Sequence, residues 1–295
     1  MVESLRQYLA PPEKIVILAL DFSTERHLKE RFLADPVIEI KTFVDFPDVD
    51  FWSLRSSRSY VEFCWALGSV LSNELLKTYK STTTYLDADI CFFSSPSDIQ
   101  MEAAKASASI TPHRFPSRLK SLEVNGLFNV GWVSFAPTAE GLEVSSNWRK
   151  NCEQSTAYEA SVGIVGDQKY LDEWPRVFNN VYQIPNPGVN LAPWNHESYK
   201  VTKNKNRWSV DGDNLIFYHF HGFRTRADGL VYPVADLYRL KKDVPRDLYL
   251  EYFNLLKNVE LSLGPWHVAP RGRRMKFKWR FMLFFKAFNI RQKHK

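Results

Sequence analysis

Cysteine is scarce in this chain: Cys64, Cys91 and Cys152 are the three in 295 residues, an odd number without metal-ligand spacing. That excludes a disulfide framework and a cysteine-rich zinc cluster as organising principles, and it suits a reducing compartment. Long hydrophobic runs are missing too, none approaching the ~18 apolar residues that a spanning helix needs. The opening MVESLRQYLAPPEK has neither the basic start nor the apolar stretch of a signal peptide, so a cytoplasmic location is expected. Glycine and proline, 12 and 16 residues, are too few for a collagen or low-complexity chain, and no Ser/Gly/Pro linker marks a seam between domains. What remains, 44% hydrophobic and 24% charged, is the composition of a folded protein.

The net charge of +6 suggests a polyanionic partner until its position is considered. Ten of the 39 Lys/Arg residues and none of the 33 Asp/Glu residues fall in 271–295. The first 270 residues are therefore net acidic, which argues against a nucleic-acid-binding core. The tail RGRRMKFKWRFMLFFKAFNIRQKHK mixes its basic residues with Phe277, Trp279, Phe281, Phe284, Phe285 and Phe288. This composition favours contact with an anionic membrane surface, or else packing on the body or a dimer contact. The expected organisation is one α/β domain over 1–270 and a basic, aromatic tail over 271–295.

Lys14–Asp21 (KIVILALD) reads as a buried strand ending in an acid, Thr24–Leu33 as a helix and Val37–Phe43 as a second strand. Tyr60, Cys64, Leu67, Leu71 and Leu75 share one helical face, with Ser59 and Glu62 forming a capping box. Further strands are expected at Ala106–Thr111, Asn129–Phe135 and Leu215–Phe220, and helices at about 139–152, 167–174 and 246–260.

Asp-x-Asp occurs three times, at Asp48/Asp50, Asp87/Asp89 and Asp211/Asp213. The first and third lie in turn-forming stretches; only Asp87-Ala88-Asp89, within TTTYLDADICFF, stands where a β run ends. Acids so placed can converge on one divalent cation, with oxygen ligands suited to Mn²⁺ or Mg²⁺. A solvated turn is the plainer alternative.

Four segments occur in order: YLDADICFF, NVGWVSF (Asn129–Phe135), GDQKYLDEWP (Gly166–Pro175) and YHFHGF (Tyr218–Phe223). This series resembles the signature of GT-A-fold nucleotide-sugar glycosyltransferases. It is most similar to the metal-dependent retaining group of glycogenin and the bacterial lipooligosaccharide galactosyltransferases, and to sugar transferases of surface-polysaccharide synthesis. The resemblance runs from about Lys14 to Phe223. It implies a Rossmann-like GT-A fold with a mainly parallel central sheet flanked by helices, and transfer of a sugar from a nucleotide-diphosphate donor to a hydroxyl of a glycan or lipid-linked glycan. Asp87, Asp89 and His219 match the metal ligands, with Mn²⁺ or Mg²⁺ as cofactor. Asp21 matches the nucleoside contact, Asn129 and Gly131 the N-x-G segment beside the donor sugar, and Asp167 and Gln168 the pair next to the anomeric carbon.

The family's Lys-Pro-Trp is absent after the His motif, which leaves Arg224 or Arg226 to neutralise diphosphate. Arg58 is the nearest match to the family's arginine before the acid pair, while Glu62 reads as a capping side chain. Asp167 is also a candidate helix N-cap. The two histidines of His219-Phe220-His221 should alternate to opposite faces of a strand, so that only one meets the metal, with His221 left as a substrate contact. His113 and Arg114, in ITPHRFP, are candidates for binding substrate hydroxyls or phosphate, with a solvated basic loop as the alternative. Trp194 and Asn195, in PNPGVNLAPWN, are candidates for a wall of the sugar or acceptor site. The expected partners are donor, glycan acceptor and membrane surface, with a peripheral location on the cytoplasmic face. Rival readings are a non-catalytic membrane-docked scaffold and a sugar-nucleotide pyrophosphorylase, although ALDFSTERH lacks the latter's Gly-rich loop.

Overall fold

Apolar periodicity turns into alternating strands and helices along most of the chain. The computed structural model describes residues 1–159, 164–225, 230–232, 238, 240, 244–263 and 288–289. After α1 (Val2–Leu5), the first apolar run forms β1 (Ile15–Leu18), in which Ile15 is buried and the other three residues only half-buried, less enclosed than expected, and beyond it Asp21 caps α2 (Phe22–Arg31). β2 (Ile38–Lys41) pairs in parallel with β1, Ile15 opposite Ile38. α3 (Phe51–Ser56) is capped by Asp50, whose carboxylate accepts from the Ser53 N–H at 2.9 Å. α4 (Tyr60–Tyr79) begins with the expected capping box: Ser59 Oγ accepts from Glu62 N–H, and Glu62 Oε2 accepts from Ser59 N–H.

β3 (Thr83–Leu86) and β4 (Ile90–Phe92) flank the central acid pair. α5 (Ser97–Ala103), β5 (Ala108–Pro112), β6 (Phe128–Phe135) and α6 (Ala139–Gln154) follow, then a short strand pair, β7 (Tyr158–Glu159) and β8 (Ile164–Val165). The helix expected over 167–174 forms instead as a 3-10 turn, Lys169–Glu173, running into the single turn α7 (Trp174–Val177). Asp167 does not cap it, and Pro175 enters at the start of α7, where its missing N–H costs nothing.

With β9 (Val181–Gln183), the central sheet takes the order β3-β6-β5-β9. β3, β5 and β9 run one way and β6 the other, so both ladders to β6 are antiparallel and only β5–β9 is parallel. The fold is thus mixed α/β with parallel strands, and its central ladders are less parallel than expected. β10 (Val201–Asn204), β11 (Arg207–Val210) and β12 (Asp213–Asn214) make a small antiparallel sheet. Asp211 and Gly212, both at positive φ (51° and 99°), turn the chain between β11 and β12, which confines the third Asp-x-Asp copy to a hairpin. β13 (Phe217–His219) pairs with β4. β14 (Arg224–Thr225) and β15 (Leu230–Tyr232) precede α8 (Arg246–Leu263), and β16 (Phe288–Asn289) pairs with β15. The remainder of the 271–295 tail, and Arg226, lie outside the described residues.

Two of the five buried clusters among the described residues hold the layers around the acid turn. α6 lays Trp148 and Cys152 on Ile110, Val133 and Phe135 of the sheet, with Trp148 edge-on to Trp174 at 6.1 Å. α4 lies beside α6, where buried Asn73 donates to Ser145 Oγ at 3.0 Å. The second core seats Leu248, Tyr249 and Tyr252 of α8 on Trp208, Val210, Tyr218 and Phe220. Tyr252 stacks on Phe220 at 3.8 Å between ring centres, which fixes the strand end next to His219. Among the described residues no helix is long and apolar enough to cross a membrane.

Candidate metal centre

Asp87 and Asp89 stand in the turn where the chain leaves the central sheet for the β4/β13 pair. Antiparallel pairing places His219 opposite Ile90, and the Phe220 N–H donates to the Asp89 carbonyl at 2.8 Å. This register carries a residue distant in sequence onto the acid turn. His219 Nε2 lies 3.0 Å from Asp89 Oδ1 and 3.8 Å from Asp87 Oδ2. One ligand atom from each of the three residues lies within 4.8 Å of the other two. Two carboxylate oxygens and an imidazole nitrogen are a donor set that fits Mn²⁺ or Mg²⁺.

Asp87 is held by its neighbours. The Tyr85 hydroxyl donates to Asp87 Oδ1 at 3.0 Å, and the Tyr85 ring lies against Gly68 of α4. A Cβ at Gly68 would fall 2.7 Å from the ring, so the glycine makes the room that lets Tyr85 reach the acid. Burial raises the Asp87 pKa, against the pull of His219. Burial also acts to raise Asp89, but the adjacent imidazole outweighs it and holds this carboxyl at about 2. His219 responds in kind: burial alone would lower it, and Asp89 and then Asp87 raise it. Asp89 and His219 thus stabilise each other's charged forms, and a cation binding at this centre would compete with a proton on His219.

Behind His219 the carboxamides of Asn190 and Asn129 continue the network. His219 Nδ1 lies 3.1 Å from Asn190 Oδ1, and Asn190 Nδ2 donates to Thr111 Oγ1 and to Asn129 Oδ1, each at 2.9 Å. Asn129 also accepts from the Gly131 N–H at 2.9 Å and donates to Gln168 Oε1 at 3.3 Å. Asn129 is thus buried and engaged on both sides, supporting the centre rather than standing open to a ligand. The motifs assign no role to Asn190, Thr111 or Tyr85, although each lies within one of the segments PNPGVNLAPWN, ITPHRFP and YLDADICFF. The signal for Asn190 was its place in the Pro/Gly-rich loop 185–195, five residues before the more conspicuous Asn195.

Asp167 is 3% exposed, and its Oδ2 has no hydrogen-bond partner among the described residues. Burial, and then the charge of Asp87, push its carboxyl up to about 8. A carboxyl raised in the folded state contributes stability that is complete below the unfolded value and is lost as pH rises through the folded one. In chelator, Asp167→Asn is therefore expected to gain stability relative to wild type between about pH 4 and 8, by on the order of several kcal/mol. Paired urea titrations at pH 5 and 8.5 check this, and equal differences at both values would contradict it. Gln168 is half-buried and donates to the Asn125 carbonyl at 2.7 Å.

The other candidates fall into two sets. Asp21 and Arg224 are on the surface: Asp21 is occupied as a helix cap, accepting from the Thr24 N–H and hydroxyl at 2.8 and 2.7 Å, and Arg224 donates to the Phe223 carbonyl. His113, Arg114, Trp194 and Asn195 form the inner wall. Arg114 donates to the carbonyls of Asn186 and Val189 at 2.9 and 2.5 Å, which ties down the loop leading to Asn190. His113 is buried, stacked on Phe115, and brought down to about 3 by that burial. Neither residue forms a solvated loop. Trp194 and Asn195 are each 1% exposed, and both donate to the His113 carbonyl. An indole so enclosed has no face to offer a sugar; it packs instead on His219 and His221. That contact also corrects the expected alternation. β13 ends at His219, so His221 is not on its opposite face, and its Nδ1 bonds the Tyr238 hydroxyl at 2.6 Å. Arg58 donates to the carbonyls of Cys152 and Glu153, closing the end of α6.

The chain is 32% identical over 225 residues to the uncharacterized protein YfnD of Bacillus subtilis (strain 168), a span covering 73% of this chain and 72% of YfnD. The chain belongs to the YfnD family. Its match to a second uncharacterized protein of that bacterium, YfnF, is 26% identical over 247 residues, 80% of this chain and 81% of YfnF. No protein-family model matches the chain. An alignment of this length to YfnD spans whole layers of secondary structure rather than a single motif.

Proposed function

We propose that this YfnD-family protein is a metal-dependent glycosyltransferase of the GT-A kind, moving a sugar from a nucleotide-diphosphate donor to a hydroxyl of a glycan or lipid-linked glycan. The observation that carries the reading is the meeting of Asp87, Asp89 and His219, from separate parts of the chain, within 4.8 Å. An isolated Asp-x-Asp turn would have no reason to receive a buried histidine.

Asp87, Asp89 and His219 would hold Mn²⁺ or Mg²⁺. When bound, the ion supplies Lewis acidity that offsets charge on the departing nucleoside diphosphate. Arg224 is exposed, and among the described residues it donates to the Phe223 carbonyl; its guanidinium fork suits phosphate oxygens. Gln168 carries an amide that cannot act as a base; anchored by Asn125 and Asn129, it orients a donor-sugar hydroxyl. Asp167 adds a carboxyl whose burial keeps it a proton donor near neutral pH, suited to hydrogen bonding beside the reacting carbon. The basic, aromatic tail fits a peripheral attachment that would bring the site to a lipid-linked acceptor.

The test is release of nucleoside diphosphate from UDP-, GDP- and dTDP-sugars, with and without Mn²⁺. Slow metal-dependent hydrolysis of one donor is expected, abolished by chelator. If no donor is turned over and none raises the melting temperature in the presence of Mn²⁺, the catalytic reading fails and a docked scaffold takes its place.

A further inference from the structure

We propose that Asn190 is the positioning residue of the metal centre, fixing which nitrogen of His219 is presented to Asp87 and Asp89. The inference rests on the metal-site reading above and deepens it.

One donor in this network, the Gly131 backbone N–H, cannot rotate. The Gly131 backbone N–H donates to one atom of the Asn129 side chain, which must therefore be its carbonyl oxygen. That oxygen also faces Asn190 at 2.9 Å, so the Asn190 atom there must be the amide nitrogen. The same nitrogen meets Thr111 Oγ1, whose own proton goes to the Asn129 backbone carbonyl at 3.1 Å, leaving the hydroxyl able only to accept. Both N–H groups of Asn190 are then in use. Its oxygen, turned to His219 Nδ1 at 3.1 Å, has only a lone pair to offer, so the ring must carry its proton on Nδ1. Nε2 is left as the nitrogen facing the two acids, and it is the one 3.0 Å from Asp89. Metal-binding histidines depend on such a partner for ring orientation and basicity.

Two further observations single out Asn190. Its backbone stands at φ 62°, in the left-handed region, where asparagine is better tolerated than most side chains. It is also fully buried at 0% exposure. A buried residue in that backbone conformation that supplies two donors and one acceptor, in three directions, leaves few alternatives to asparagine.

The experiment titrates Mn²⁺ alone into wild type, Asn190→Gly and Asn190→Asp, following loss of the free Mn²⁺ electron-resonance signal, with melting temperature and Co²⁺ absorption read on each. Glycine accepts the backbone angle but removes the carboxamide; aspartate keeps an acceptor for the ring N–H while losing both donors. The expected result is a roughly 10- to 100-fold weaker Mn²⁺ affinity for Asn190→Gly, with a changed Co²⁺ spectrum. Asn190→Asp should retain affinity within a few-fold although its melting temperature also falls. If affinity follows melting temperature in both variants, Asn190 is only a structural part of the loop and the proposal is overturned. It is equally overturned if both variants bind as wild type does. Failure of wild type itself to bind Mn²⁺ is a distinct outcome, which removes the metal reading and this inference with it.

Discussion

Replacing Asp89 with alanine is expected to lower Mn²⁺-dependent release of nucleoside diphosphate by roughly 1,000-fold or more, equivalent to the several kcal/mol that Lewis-acid stabilisation of a leaving phosphate contributes. Asp89 lies closer to His219 Nε2 than Asp87 does, 3.0 Å against 3.8 Å. Its removal leaves a single carboxylate and an imidazole, too few protein ligands to hold a labile divalent ion. The same change should be mild for folding. Asp89 has 44% of its side chain exposed; alanine loses the carboxylate contact with His219 of β13 but keeps the backbone carbonyl that accepts from the Phe220 N–H just beyond that strand. Activity, Mn²⁺ binding and thermal melting measured on one preparation separate the two effects. An Asp89→Ala protein that keeps a tenth or more of wild-type Mn²⁺-dependent turnover would exclude this carboxylate as a ligand.

Gly131→Ala should damage the centre from the opposite side. A Cβ there would stand 2.7 Å from Asn129 Oδ1, 2.8 Å from His219 Nδ1 and 3.1 Å from Asn190 Oδ1. All three atoms are hydrogen-bonded and belong to buried side chains, so none can swing aside as the end of a surface lysine would. The expected cost is about 1–3 kcal/mol of stability, as for other overpacked interiors. Mn²⁺ affinity should fall at least ~10-fold as the imidazole is displaced from its partners. Gly212→Ala is the control. Gly212 sits at φ 99° with nothing within 4 Å of a new Cβ, so that variant should lose stability through backbone strain and bind Mn²⁺ as wild type does. Equal Mn²⁺ affinities in the two variants would show that the crowding around Gly131 does not govern the ligand.

Much of this molecule was determined locally. The strand at Ile15–Leu18, the helix α4 with its Ser59/Glu62 capping box and the helix α6 follow from local spacing, because backbone periodicity acts over one or two turns. Of the face expected on α4, Leu67 and Leu75 are buried, Cys64 and Leu71 are half-buried and Tyr60 is exposed. The helix-cap role of Asp50 and the turn at Asp211–Gly212 were also decided by neighbours in sequence. The resemblance singled out Asp87, Asp89 and His219 as a set, but their meeting depends on the pairing of β4 with β13, a contact between strands far apart in the chain. Tertiary structure alone decided what stands behind them. Trp194 and Asn195, which sequence marks as a ligand wall, became interior because Arg114 and His113 draw their loop inward. Asn190 became central because its left-handed backbone turns a carboxamide toward Thr111, Asn129 and His219 together. Local sequence sets which groups can donate and accept; which donor meets which acceptor is decided only when distant segments are packed and water no longer competes for the bond.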